Sequence, residues 1–365
     1  MENEFVDNVA LNDEEKEILD NAALNEDGKF KLVIFYDNDD LFDSMAYIVT
    51  KDDGKRRIKN NFAKKLLDSK LAIKILSDKI ETKAYAKEKF LSEVFISEEK
   101  YNLLVNLLEH KKNIILQGAP GVGKTFAAKR LAYSIIGEEN ENQIEFVQFH
   151  QNYSYEDFIM GYKPTENNFE MRKGIFYNFC KKAEKNPDKK FFFIIDEINR
   201  GNMSKIFGEL LMLIEKDHRE EKIKLSYSDE KFSVPKNLYI IGMMNTADRS
   251  LAIIDYALRR RFSFFEMEPA FDSDGFKNLQ QTFQNEIFDK LVEQIKNLNK
   301  EISADKSLGK GFCIGHSYFC LKNCDEKILR SIVDYEILPT LEEYFFDDEN
   351  KFEKWQNILC GVFND

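Results

Sequence analysis

The segment that most constrains this chain is the octapeptide formed by Gly118, Ala119, Pro120, Gly121, Val122, Gly123, Lys124 and Thr125, followed by Phe126. It fills every position of the G-x-x-x-x-G-K-[ST] pattern. Its setting matters as much as the match. An apolar run, NIILQ, precedes it, and a helix-forming run, FAAKRLAYSII, follows. Glycines let the backbone curl so that successive N–H groups face one anion. The helix start adds its partial positive charge. In such a loop Lys124 would reach the outer phosphates of a nucleotide, and Thr125 would offer its hydroxyl to Mg²⁺. The competing reading, a chance glycine-rich turn, does not account for the flanking strand and helix.

A strand–loop–helix unit needs neighbours of its own kind. From about residue 100, apolar strand-like runs alternate with helical stretches: 113–117, 145–149, 191–195, 238–242 and 262–265. That alternation predicts a parallel sheet covered by helices. Beyond it the chain reads as helical. The expected class is α/β: a P-loop domain with a parallel sheet over 96–271, a C-terminal helical lid over 272–365, and a small α+β accessory region over 1–95. In that accessory region 31–36 and 46–50 read as strands, joined through DNDDLFDS. A short helical pattern falls near 14–24. Ile58, Phe62, Leu66, Leu71, Ile75 and Ile80 have helical spacing, in a Lys-rich stretch.

Two carboxylates end the run FFFII: Asp196 and Glu197. A strand this apolar is buried on both faces, and ligands collect at the carboxyl ends of such strands. Asp196 is placed to hold Mg²⁺, usually through water, and Glu197 to polarise an attacking water. A helix-capping acidic pair is the plainer alternative. Asn245 follows the run NLYIIGMM, where its amide can meet the γ-phosphate or the same water; an Asx turn would also suit it. Arg259, Arg260 and Arg261 would close a helix from about residue 253. They suit its dipole there, or serve as arginine fingers across a subunit boundary.

Charge is uneven. Residues 1–43 hold 14 acidic side chains and three lysines, whereas 51–89 hold 13 basic and six acidic ones. The basic stretch reads as a solvated helical face, or as a sequence-blind contact for nucleic-acid phosphates. The N-terminal residues lack the apolar core of a secretory signal, and the run 191–195 is far too short to span a membrane. A cytoplasmic protein is expected. The five cysteines match no zinc spacing; Cys320 and Cys324 are spaced as on one helical face. His150 and His316 read as packed histidines. Tyr153, Tyr155 and Tyr162 suit either a central pore or ordinary packing.

Together, GAPGVGKT, FHQNYSYEDFIMGYKP, IIDEINRGNMSKIFGELLMLIE, MNTADRS, DYALRRRF and IGHSYF resemble the AAA+ motor of the McrB family, the nucleotide-driven subunits of modified-cytosine-dependent (McrBC-type) restriction systems. The likeness runs from about residue 95 to 350. It implies an AAA+ domain with a lid, and a homo-hexameric ring with nucleotide between subunits. It further implies GTP preference, with ATP as the alternative, an McrC-like nuclease partner, and DNA reached through that complex in antiviral defence. By the same resemblance Asn245 would be the sensor, Arg260 and Arg261 would act in trans, and Arg200 would face a neighbour. The short N-terminal region departs from the larger DNA-reading domain common in the family. A MoxR-like ATPase that remodels protein partners is the alternative, against which MNTADRS weighs. The Asn-Lys-x-Asp guanine motif is absent, so guanine preference rests on the resemblance alone.

Overall fold

In the computed structural model, the apolar runs of the sequence become the strands of a parallel sheet. The structure describes residues 13–22, 24, 29–35, 45–51, 55–69, 72–76, 82–165, 168–247 and 256–364. They fall into two compact units, 1–82 and 83–365.

In the first unit, α1 (Asp13–Asp20) precedes β1 (Phe30–Phe35), β2 (Met45–Val49) and β3 (Lys55–Ile58); α2 (Asn60–Asp68) and β4 (Ala72–Leu76) follow. The sheet order is β3-β2-β1-β4, with β4 parallel to β1 and the other pairings antiparallel. Buried Leu32, Ile48, Phe62 and Leu66 form its small core. The structure corrects the helical reading of this stretch: Ile58 and Ile75 lie in strands. A five-residue run such as AIKIL fits either period, and its pairing with β1 is a long-range choice. Residues 1–12, the 37–44 turn, Leu71 and Ile80 lie outside the described residues.

The second unit opens with α3 (Lys87–Glu93) and α4 (Glu98–Lys111), which lead into β5 (Asn113–Gly118) and α5 (Lys124–Ile136). Next come β6 (Ile144–Gln148), α6 (Tyr155–Phe158), the hairpin β7 (Met160–Pro164) and β8 (Phe169–Lys173), and α7 (Ile175–Lys185). After β9 (Phe191–Asp196) lie α8 (Met203–Phe207), α9 (Leu210–Leu213) and a second hairpin, β10 (Ile223–Leu225) and β11 (Ser228–Phe232). The chain returns through β12 (Leu238–Asn245), α10 (Tyr256–Arg259) and β13 (Ser263–Met267). It ends in helices α11 (Asp274–Phe283), α12 (Glu286–Ala304), α13 (Glu326–Ile332), α14 (Leu338–Tyr344) and α15 (Glu349–Gly361).

The five-stranded sheet runs β13-β5-β12-β9-β6, all parallel. Its alternation sorts two cores. Ile114, Leu116, Phe192, Ile194 and Ile241 face α4, α5 and the C-terminal helices, and share one cluster with Leu291, Ile295 and Trp355. Ile115, Phe193, Ile195 and Ile240 face the other side, with Phe158, Phe176 and Phe207. Phe193 is fully buried, with ring centroids of Phe176, Phe158 and Phe179 at 5.0, 5.5 and 5.7 Å. Phe193→Ala is expected to cost about 3–5 kcal/mol, because close-packed rings cannot collapse into the gap. Denaturant titration of the wild type and variant checks this.

The strand registers place Gly118 opposite Asn245, Ile195 opposite Gly242, and Asp196 opposite Gln148. The carboxyl ends of β5, β12 and β9 are thereby brought to one edge.

Candidate functional site

At that edge the loop after β5 curls back on itself. Gly121 and Gly123 sit at φ 74° and 77°, in the left-handed region that glycine tolerates without penalty. Gly123 caps the start of α5. A Cβ on Gly121 would stand 2.7 Å from the Tyr318 ring, so glycine is also needed for space. Lys124 is buried, and its ammonium donates to the carbonyls of Gly118 and Ala119 at 3.0 and 2.8 Å. Thr125 and Phe126 are exposed on the first turn. The Arg130 guanidinium lies 3.3 Å from the centre of the Phe126 ring.

β9 ends at Asp196, whose Oδ1 accepts the N–H of Glu197 at 3.0 Å. Glu197 has φ 50°, uncommon for a side chain of this size. Strain of this kind gathers where a side chain must point one way. Its Oε1 accepts from Asn245 Nδ2 at 2.8 Å. Its Oε2 is buried without an aligned hydrogen bond, and Arg200 Nε stands 3.0 Å away as an ion pair. Asn245 reaches this position because β12 extends past β9 and pairs with the last residue of β5. The Thr246 N–H donates to Gly118 O at 3.1 Å, which fixes that end of β12 to the loop.

This arrangement fits a nucleotide and its Mg²⁺. The loop offers N–H groups and a buried ammonium to an anion. Glu197 adds a buried carboxylate oxygen whose neighbour is the Arg200 guanidinium. Among the described residues no three His, Cys, Asp or Glu side chains gather as a metal cage. Mg²⁺ does not need one, since it keeps waters and phosphate oxygens beside one or two protein ligands.

The arginines lie elsewhere. Arg259 ends α10. Arg260 is 69% exposed and Arg261 10% exposed, and both reach the same oxygen of Glu215, at 3.2 and 2.8 Å. Asp248, Arg249, Ser250 and the start of the expected helix at residue 253 are outside the described residues. Arg200 is partnered by Glu197 of its own chain.

The C-terminal helices reach the loop directly. Ser317 N–H donates to Gly121 O at 2.9 Å. His316 Nδ1 accepts from Ala270 N–H at 3.1 Å, so the proton of the neutral ring sits on Nε2. Burial depresses the imidazole pKa to about 4. Beside the loop lies a cleft of about 400 Å³, lined among others by Phe95, Ile96, Val122, Phe126, His316 and Cys320. Cys320 and Cys324 lie in the irregular stretch after the short 3-10 helix His316–Phe319, not on one helix, which corrects the shared-face reading. Tyr155 packs inside, while Tyr162 is exposed on the β7–β8 hairpin and meets Tyr227 edge-on at 6.3 Å. Asn113 opens the run NIILQ and Glu215 closes the run IIDEINRGNMSKIFGELLMLIE, but neither run marks the contacts these two make, and Arg219 lies in no motif at all. No described helix is long and apolar enough to cross a membrane.

Comparison with known proteins gives this geometry its relatives. Residues 113–262 match the AAA domain model of the dynein-related subfamily, and residues 290–353 match the McrB alpha-helical lid domain model. The Type IV methyl-directed restriction enzyme EcoKMcrB subunit of Escherichia coli is 52% identical over 294 residues, 77% of this chain and 64% of that protein. The Type II restriction enzyme BsuMI component YdiS of Bacillus subtilis is 29% identical over 197 residues, 43% of this chain and 57% of that protein. The chain thus spans less than two thirds of the length of either relative. The chain therefore carries an AAA domain of the McrB type followed by an McrB-type helical lid.

Proposed function

We propose that this chain hydrolyses a nucleoside triphosphate, GTP before ATP, as one subunit of a homo-hexameric ring that drives a partner nuclease in DNA restriction. Residues 96–271 would be the motor, 272–365 its lid, and 1–95 an accessory region. The observation that carries the reading is that β5, β12 and β9 end at one edge of the sheet, where the Lys124 loop follows β5, Asp196 ends β9, and Asn245 at the end of β12 bonds to Glu197. Restriction as the setting is supported by the McrB-type lid and the names of both relatives.

In this reading the loop from Gly118 to Phe126 cups the phosphates, with Lys124 drawn from its two carbonyls to the outer ones. Thr125 and Asp196 hold Mg²⁺, which neutralises charge on the phosphate oxygens. Glu197 accepts a proton from the attacking water through Oε2, the oxygen beside Arg200, and Asn245 orients both. Arg200, beside Glu197, feels charge build at that water. The base enters the cleft between Phe95, Phe126 and His316. Arg260, the exposed member of its cluster, acts on the next subunit's nucleotide, with Arg261 beside it.

Rings mixed from Arg260→Ala and Glu197→Gln subunits test the shared site. Each parent is expected to be slow, and mixtures should regain part of the turnover, because each supplies what the other lacks. No recovery at any ratio would overturn the trans assignment. Comparing GTP with ATP turnover settles the nucleotide. A pull-down that recovers a McrC-like nuclease supports the restriction setting; recovery of folding clients alone would make the chain a MoxR-like remodelling ATPase.

A further inference from the structure

Arg219 is a buried guanidinium, 4% exposed, and none of its hydrogen bonds among the described residues goes to a carboxylate. It donates to the carbonyls of Ile214, Pro235 and Leu238 at 3.0, 3.3 and 3.2 Å, and to Asn113 Oδ1 at 2.8 Å. Burying a charge this way is costly and needs a full set of acceptors. Burial also lowers its pKa to about 10, which leaves it protonated at neutral pH.

The consequence falls on Asn113, the first residue of β5 and itself 0% exposed. With its oxygen committed to Arg219, its amide nitrogen must face the other way. It donates to Ile214 O at 2.8 Å and to Arg261 O at 3.1 Å. The backbone of the arginine segment is therefore held by a side chain that Arg219 orients. The next residue after Ile214 is Glu215, which takes the side chains of Arg260 and Arg261 on one oxygen. Backbone and side chains of the segment are thus tied to one point of the chain, 214–215. Arg261 is the sunk anchor of the pair and Arg260 the projecting member.

We propose that Asn113, Arg219 and Glu215 are positioning residues that set how Arg260 is presented, and so govern hydrolysis in the neighbouring subunit rather than in their own. The inference rests on the trans reading of Arg260. Position separates it from a purely structural role. The clamp sits at the start of β5, whereas the phosphate loop begins at its end, roughly 16–17 Å away over five residue steps. Loosening the clamp should leave its own loop intact and misplace the arginine next door.

The test uses full-length rings carrying Asn113→Asp or Glu215→Gln. Asn113→Asp keeps an acceptor for Arg219 but loses both donated bonds; Glu215→Gln weakens only the hold on the guanidiniums. Homomeric rings of each should lose about tenfold or more in kcat, with nucleotide affinity within about twofold of wild type. Mixing either with Glu197→Gln subunits, whose arginine segment is intact, should restore turnover as it does for Arg260→Ala. If Arg260→Ala is rescued but neither clamp variant is, the clamp serves its own subunit and the proposal falls. If Arg260→Ala is not rescued, the trans reading falls first. Wild-type kcat in both clamp variants also overturns the proposal. Melting temperatures are measured alongside, and should Asn113→Asp not fold, Glu215→Gln, at a partly exposed site, decides alone.

Discussion

Glu197→Gln is expected to slow hydrolysis by about two to three orders of magnitude while nucleotide stays bound, a loss of roughly 3–4 kcal/mol of transition-state stabilisation. The geometry says why the two effects separate. A glutamine can turn its amide oxygen to Asn245 Nδ2, preserving the 2.8 Å contact and the shape of the strand tips. What it puts in place of Oε2 is an N–H₂ that accepts no proton from water, and that faces the Arg200 guanidinium donor to donor. Binding depends on the loop and Lys124, which the change does not touch. Single-turnover hydrolysis beside nucleotide titration reads both. Turnover within about threefold of wild type would remove Glu197 from the chemistry.

Gly315→Ala is expected to weaken nucleotide binding by about tenfold or more without unfolding the chain. An alanine Cβ at this position would lie 2.0 Å from the carbonyl carbon of Gly121, 2.1 Å from its oxygen and 2.6 Å from Val122 N. These are backbone atoms of the phosphate loop, so no side chain can swing aside. Either the loop shifts or the 315–317 segment lifts and breaks the bond from Ser317 N–H to Gly121 O. Overpacking of this kind costs about 1–3 kcal/mol, and displacing a binding loop by about 1 Å is felt strongly by its ligand. Titration with a fluorescent nucleotide checks it, with the melting temperature as control. Unchanged affinity would mean that the loop and the 315–317 segment are not coupled.

How much of this was legible beforehand follows from the kind of residue involved. The strands of the large sheet were read to within a few residues, because a strand buried on both faces is a continuous apolar run between turn signals. From those runs the positions of Gly118, Asp196, Glu197 and Asn245 at strand ends follow directly. That Glu197 bonds to Asn245 does not, since it depends on β12 lying between β5 and β9. The two hairpins leave no such mark: in FEMRK and SDEKF polar residues prevail, and pairing supplies the order. Strand β4 was hidden for the opposite reason, its apolar spacing suiting a helix as well. Asn113 and Arg219 are 106 positions apart in sequence and join only when the sheet closes, so no local pattern could announce them.

The aromatic and aliphatic layer beneath α4 and α5 does not stop where the sheet does. Leu116, Phe271, Phe288, Ile295 and Trp355 belong to one continuous apolar cluster. The C-terminal helices are therefore not a flap on a finished body, because without them the apolar side chains that continue this layer past α4 and α5 would face water. Any swing of those helices has to be a sliding of greasy surfaces that stay in touch. Such sliding favours a few discrete stopping points over a smooth arc. A motor built this way would advance in clicks.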